Sequence, residues 1–259
     1  MTDNVPPAFF VVAAAAFGAI VGSFLNVCIY RLPIGKSIVW PASSCTSCGR
    51  ELSWYENIPV LSYAVLRGRC RTCHAPFSIR YPLIEALTAA MFAAAWWYYG
   101  PHVLLAARLV FGCALIVLFA IDLEHQLLPN AITLPGIAVG FLFSVFAEPG
   151  WRASLIGILV GGGSLYGVAL AYFYIRHEEG LGMGDVKMLA MIGAFLGWQL
   201  TLVTLMMASL SGTVIGLALI VSKRGGMKYA LPFGTFLALG AAAAATVGPA
   251  LLEWYVGQW

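Results

Sequence analysis

Leu115-Ile-Val-Leu-Phe-Ala-Ile-Asp122 is the stretch on which the reading of this chain turns: seven apolar residues in a row end on a carboxylate. An unbroken apolar run asks for lipid. A carboxylate at its edge costs on the order of 1–3 kcal/mol and needs a partner, water or a task. Gly180-Leu-Gly-Met-Gly-Asp185 shows the same pairing in reverse order, with the acid opening an apolar run. The remaining aspartate is Asp3, in the polar N-terminal tail. Asp122 and Asp185 are therefore the one candidate two-aspartate site.

The surrounding composition agrees. Of 259 residues, 61% are hydrophobic and 10% charged, and the mean hydropathy is +0.88; soluble domains carry about 25% charged residues. The chain reads as an all-α polytopic membrane protein. Apolar runs predict about eight transmembrane helices, at 8–30, 82–99, 102–121, 131–147, 151–175, 185–198, 200–221 and 229–252. The sixth is short against the ~20 residues a bilayer needs, which leaves its boundary with the seventh weak. Helices follow because backbone polar groups must pair within the segment in lipid, and no alternating barrel pattern is present. The N-terminal stretch has an acid and no Lys or Arg, so the first apolar run is expected to be a retained helix rather than a cleaved signal.

Lys and Arg set the orientation. With the N-terminus outside, the inner segments are 31–81, 122–130, 176–184 and 222–228. The first carries Arg31, Lys36, Arg50, Arg67, Arg69, Arg71 and Arg80; Arg176 and Lys187 flank the third; Lys223, Arg224 and Lys228 sit in the fourth. Only Arg108 and Arg152 fall outside, while Trp254, Tyr255 and Trp259 are placed as an outer aromatic anchor. Asp122 and Asp185 then both lie at the cytoplasmic ends of their helices, although neither entered that count.

Residues 31–81 form a hydrophilic cytoplasmic loop between the first two helices. It holds Cys45-Thr-Ser-Cys48 and Cys70-Arg-Thr-Cys73. Two such pairs suit a four-cysteine zinc site, and a metal staple suits a loop too small and polar to build a core. Disulfides or redox pairs are the alternative; a cytoplasmic position argues against stable disulfides. Cys28 and Cys113 lie within spans and read as packing residues. Between the pairs, Glu56 and Asn57 follow Trp54 and Tyr55, a set able to hold a small ligand with an adenine ring or to lie on the membrane surface. His74 is a spare ligand; Glu124, His125, His177 and Glu178 form no clean metal pattern.

Two carboxylates sharing one proton make an aspartyl protease. The ionised one activates water and the protonated one polarises the scissile carbonyl. The glycines before Asp185 let backbone approach closely, and Pro129 should stop any helix after Asp122. The plainer alternative has each aspartate capping a helix or paired with Lys187 or Arg176.

At these residues the chain resembles the type 4 prepilin peptidases of type IV pilus and type II secretion systems. Gly22-Ser-Phe-Leu-Asn-Val27 with Tyr30-Arg-Leu-Pro33 is similar to the family's opening. Leu66-Arg-Gly-Arg-Cys70 and Arg80-Tyr-Pro-Leu-Ile-Glu85 resemble its loop, Gly182-Met-Gly-Asp185 its Gly-x-Gly-Asp motif, and Pro232-Phe-Gly234 its last span. One departure is Cys45-Thr-Ser-Cys48, where the family often has Cys-Pro-x-Cys. The resemblance implies a bacterial inner-membrane enzyme that cuts basic leaders from prepilins or pseudopilins, substrates held by a transmembrane N-terminal helix in lipid, with no nucleic acid involved. It implies Asp122 and Asp185 as the catalytic pair and zinc on Cys45, Cys48, Cys70 and Cys73. It further implies N-methylation of the new N-terminus with S-adenosylmethionine, for which Glu56, Asn57 and Glu85 are the candidate binding residues. The expected organisation is a first transmembrane helix (1–30), a four-cysteine methyltransferase loop (31–81) and a seven-helix protease region (82–259). The rival from another class is a membrane transporter or proton relay through Asp122 and Asp185, which would place ionisable residues near the membrane midplane.

Overall fold

The computed structural model describes residues 6–178, 180–222 and 231–257. Asp3, Lys223, Arg224, Lys228, Tyr229 and Trp259 lie outside the described residues. Helix α1 (Pro7–Arg31) starts on proline, whose missing N–H costs nothing at a helix start. Its last residue, Arg31, donates to the carbonyls of Ser37 and Pro41 and so ties the loop's first turn to the helix. The loop contains a 3-10 turn, Trp54–Asn57, and a short helix α2 (Leu61–Val65). Then follow α3 (Arg80–Tyr99), α4 (Val103–His125), α5 (Asn130–Phe146), α6 (Trp151–Arg176), α7 (Met183–Val221) and α8 (Phe233–Val256). Gly100, at φ 59°, ends α3 in a conformation that favours glycine. Pro129 separates α4 from α5, as its sequence position predicted.

No strand occurs among the described residues, and the all-α polytopic expectation holds. Five helices are long and apolar enough to cross a membrane: α1, α4, α6, α7 and α8. Helix α5, with 17 residues, is apolar but shorter. Helix α3, with 20 residues, opens on Arg80 and buries Glu85. Large apolar side chains such as Phe9, Val12, Phe17 and Ile20 on α1 stay exposed, as on a lipid-facing surface.

Helix α7 settles the weak sixth–seventh boundary. Its 39 residues would run about 58 Å if straight, near twice the ~30 Å hydrocarbon core. It does not run straight. Gly197 sits at φ 76°, ψ 170°, and a side chain at Gly161 of α6 would meet both Leu189 O and Thr201 Cγ2. A straight helix would hold those two residues about 18 Å apart, so α7 doubles back at Gly197 into two antiparallel limbs. The sixth and seventh segments of the sequence reading are these limbs. The first rises only about 20 Å.

The chain forms two compact units, Met1–Val117 and Leu118–Trp259. In the first, α1 and α3 pack face to face: a Cβ on Gly22 would come within 2.8 Å of the Glu85 Cα, and Phe10 stacks on Trp96 at 5.8 Å. In the second, α7 packs against α5, α6 and α8; α5 and α6 meet its first limb, where Met188 to Ile192 are nearly all inaccessible. Gly157 and Gly193 let the α6 and α7 backbones touch, and Ser154 donates to Ala194 O at 2.8 Å. Small residues and interhelical hydrogen bonds are what hold helices together where lipid removes the hydrophobic drive.

Candidate catalytic and metal sites

Asp122 lies one turn from the end of α4 and is 4% exposed. Its Oδ2 accepts the backbone N–H of Thr235 at 2.6 Å and the Thr235 hydroxyl at 3.0 Å. Thr235 is in the first turn of α8, whose own cap position is Pro232, without a side-chain cap. The carboxylate therefore caps α8 from another helix and meets the positive end of its dipole.

Asp185 occupies the first turn of α7, after the cap residue Gly182. Its Oδ2 folds back over Gly182, where an added Cβ would sit 3.2 Å away. A Cβ at Gly234 would sit 3.0 Å from Asp122 Oδ2, so the start of α8 closes on this carboxylate. Leu128 wedges between the two helix starts: a Cβ at Gly184 or at Gly234 would come within 2.9 Å of it. Lys187 turns away and donates to Asn130 Oδ1 at 2.9 Å; Arg176 forms no ion pair with Asp185 among the described residues. Both acids stand at helix ends, not mid-helix, which is the placement the relay alternative does not predict.

The loop site is built from two copies of one turn. Cys45 N–H bonds Arg50 O at 2.9 Å and Gly49 N–H returns to Cys45 O at 2.9 Å; Cys70 N–H bonds Ala75 O at 2.9 Å and His74 N–H returns to Cys70 O at 3.0 Å. The fifth residue of each turn is left-handed, Gly49 at φ 71° and His74 at φ 57°. His74 thus repeats Gly49's backbone role and is not among the clustered ligands. All four sulfurs lie within 4.8 Å of one another, the single group of three or more metal-capable side chains among the described residues. The N–H groups of Cys48 and Ser47 lower the Cys45 thiol, and those of Cys73 and Thr72 push Cys70 down to about 6. Cys73 runs the other way. The Ala75 N–H favours its thiolate, but desolvation and the neighbouring sulfurs raise it to about 11. Four crowded sulfurs that cannot all ionise alone are a donor set for a soft-tolerant divalent cation.

Glu56 is committed inside this frame. Both its oxygens accept from Arg50 Nη2, at 2.7 and 2.9 Å, and Ser53 N–H donates to it at 2.9 Å. These bonds hold its carboxyl below the usual range. Arg50 also closes the first Cys turn, its carbonyl accepting the Cys45 N–H, so Glu56 braces that turn through Arg50. Glu85 is buried on α3 and accepts the Val60 N–H at 2.8 Å. Glu56, Asn57 and Glu85 nevertheless line one cavity of about 670 Å³ in the first unit, with Asn26, Tyr30 and Trp40. Cys28 is buried within α1, and Cys113 lies on α4, away from the cluster. Glu124 and His125 approach each other at 4.0 Å, and His177 closes α6 in a left-handed conformation.

The chain matches the family model described as the bacterial peptidase A24 N-terminal domain over residues 16–99, and that of the type IV leader peptidase family over residues 109–217. A protein from Pseudomonas putida named prepilin leader peptidase/N-methyltransferase is 38% identical over 258 residues, spanning 90% of this chain and 89% of that one.

The chain belongs to the type IV leader peptidase family.

Relatives with the same name occur in Myxococcus xanthus (strain DK1622), 41% identical over 88% of this chain and 70% of that one, and in Aeromonas hydrophila, 36% identical over 93% and 91%. No solved structure matches the chain. For this member, the sequence reading missed Thr235, Leu128, Arg50 and Asn26. Thr235 stands inside Pro232-Phe-Gly-Thr-Phe236, a helix start lacking an acid of its own, which was the available signal.

Proposed function

We propose that this chain is a leader peptidase and N-methyltransferase of the bacterial inner membrane, cutting basic leaders from prepilins or pseudopilins at the cytoplasmic face. The observation that carries it is the convergence of the helix ends that hold Asp122 and Asp185 on Leu128, in a chain with a single other aspartate. Two carboxylates brought to one scissile bond share a proton. One carboxylate takes a proton from water as the water oxygen bonds to the scissile carbonyl carbon; the other gives its proton to the carbonyl oxygen. The C–N bond then breaks as a proton passes to the leaving nitrogen. Gly182 and Gly184 let Asp185 Oδ2 and Leu128 close on the helix start, where side chains would crowd them.

The loop 31–81 is the methyl-transfer region and 82–259 the proteolytic one, with the N-terminus outside, as the Lys and Arg distribution supports. Cys45, Cys48, Cys70 and Cys73 hold zinc, which supplies a structural cross-link. The cavity lined by Glu56, Asn57 and Glu85 has the volume of a small-molecule site. When bound there, S-adenosylmethionine supplies the methyl group for the amine that cleavage releases; the chain's residues bind and orient it. The test is purified protein in lipid with a prepilin, reading leader loss and methyl addition by mass. Wild type that leaves the leader in place would overturn the reading.

A further inference from the structure

Asn26 holds a buried side-chain acceptor in the first unit. It is 2% exposed, and its Nδ2 donates to Gly22 O at 3.3 Å and to Tyr81 O at 3.0 Å. Two carbonyls on one end fix which end of the amide is nitrogen. Its Oδ1 is then a buried acceptor with no partner among the described residues. Leaving such an atom unmatched carries a penalty that native structures avoid unless something binds there.

Its surroundings say what kind of group would match it. Asn26 and Glu85 border the same cavity. Asn26 bonds to the carbonyl of Tyr81, one turn before Glu85, and Gly22 presses on the Glu85 backbone. The Glu85 carboxylate is fixed by Val60 N–H and by the Ser23 side chain, which leaves it lone pairs to spare. Neither Asn26 Oδ1 nor a carboxylate can donate. Arg31 spends its guanidinium on loop carbonyls, whereas Lys36 and Arg69 also border the cavity and suit a carboxylate. Two buried acceptors bordering one cavity call for a ligand with several N–H donors on one atom.

We infer that Asn26 Oδ1 and Glu85 form a subsite for a primary α-amine. This rests on the methyl-transfer reading of the loop. Two molecules of that reaction carry the group: the amino-acid end of S-adenosylmethionine, and the free N-terminus of cut pilin. The subsite belongs to the first unit and the residues proposed for cleavage to the second, so leader removal reports that the second unit is folded and bound zinc that the first is.

The experiment uses full-length protein in lipid, with Asn26→Leu and Glu85→Gln. Labelled S-adenosylmethionine binding is measured by equilibrium dialysis, beside the analogue whose α-amine is replaced by a keto oxygen. The KM for pre-cut pilin is measured in parallel. Loss of one buried hydrogen bond to a charged donor corresponds to roughly tenfold or more. If the amine is the cofactor's, N26L weakens S-adenosylmethionine at least about tenfold and leaves the keto analogue unchanged. If it is pilin's, N26L raises the pilin KM by that factor and leaves cofactor binding alone. N26L that cleaves leaders but changes neither constant overturns the inference while methyl transfer stands. Should N26L fail to cleave, E85Q decides by the same two constants. Wild type that binds neither probe overturns the methyl-transfer reading and the subsite together.

Discussion

Thr235 and Asp122 make the most consequential single contact in the molecule. The threonine offers one carboxylate oxygen two donors, which fixes that carboxylate's rotamer and leaves its other oxygen for chemistry. Thr235→Val keeps the backbone donor and removes the hydroxyl. We expect leader cleavage to slow by about tenfold in kcat with KM little changed, the scale of one hydrogen bond to a charged group, while Thr235→Ser restores it. An unaltered kcat in Thr235→Val would deny the hydroxyl a positioning role. The aspartates themselves should weigh far more. Asp122→Asn and Asp185→Asn should each lower cleavage by on the order of ten-thousandfold, because groups acting as a unit fail together. Mass analysis of the pilin product at matched enzyme level checks this, and near wild-type rates in either variant would end the two-aspartate mechanism.

At the scale of elements, two devices set the sites. The first is the pair of Cys turns. Wild type is expected to carry about one zinc per chain, lost in the Cys45→Ser/Cys48→Ser and Cys70→Ser/Cys73→Ser double variants. Glu56→Gln should weaken zinc retention against a chelator without removing a ligand, because it loosens Arg50, whose carbonyl closes the Cys45 turn. Freshly prepared protein without zinc by elemental analysis sinks this assignment. The second device is the reversal of α7 at Gly197. A left-handed conformation costs other residues about 1–2 kcal/mol, and a Cβ there would lie 3.0 Å from Pro149. Gly197→Val should lower the thermal unfolding midpoint and cleavage together, since this turn aligns the limb that carries Asp185. A midpoint equal to wild type would show the hairpin tolerates the side chain.

At the scale of the whole molecule, the prediction concerns order. Methyl transfer needs the amine that cleavage exposes, so label from S-adenosylmethionine should enter prepilin only after the leader is gone. The aspartate variants should label pre-cut pilin and leave uncut prepilin unlabelled. The double Cys variants should show the opposite bias, cleaving better than they methylate. Label on intact prepilin would separate the two activities from this sequence of events.

The chain by itself determined the parts that depend on composition and local spacing. A charge content of 10% leaves too little polar surface for a water-soluble fold, so apolar run lengths marked the helices to within a few residues. Pro129 and Gly100 marked where helices stop, because both act through their own backbone. Paired cysteines two residues apart announced a metal site, since a tight turn brings such thiols together locally. Asp122 and Asp185 stood out because acids are scarce. Only the tertiary structure decided what lies far apart in sequence. That Asp122 is held by Thr235, 113 residues on, follows from packing of α8 against α7, not from any local pattern. Glu56 was legible as a polar residue beside aromatics, but its bonds to Arg50 turned a candidate ligand contact into a brace. The reversal at Gly197 escaped as a clear boundary because apolar residues continue on both sides. One glycine's backbone angle, held by α6 packed on both limbs, makes the turn.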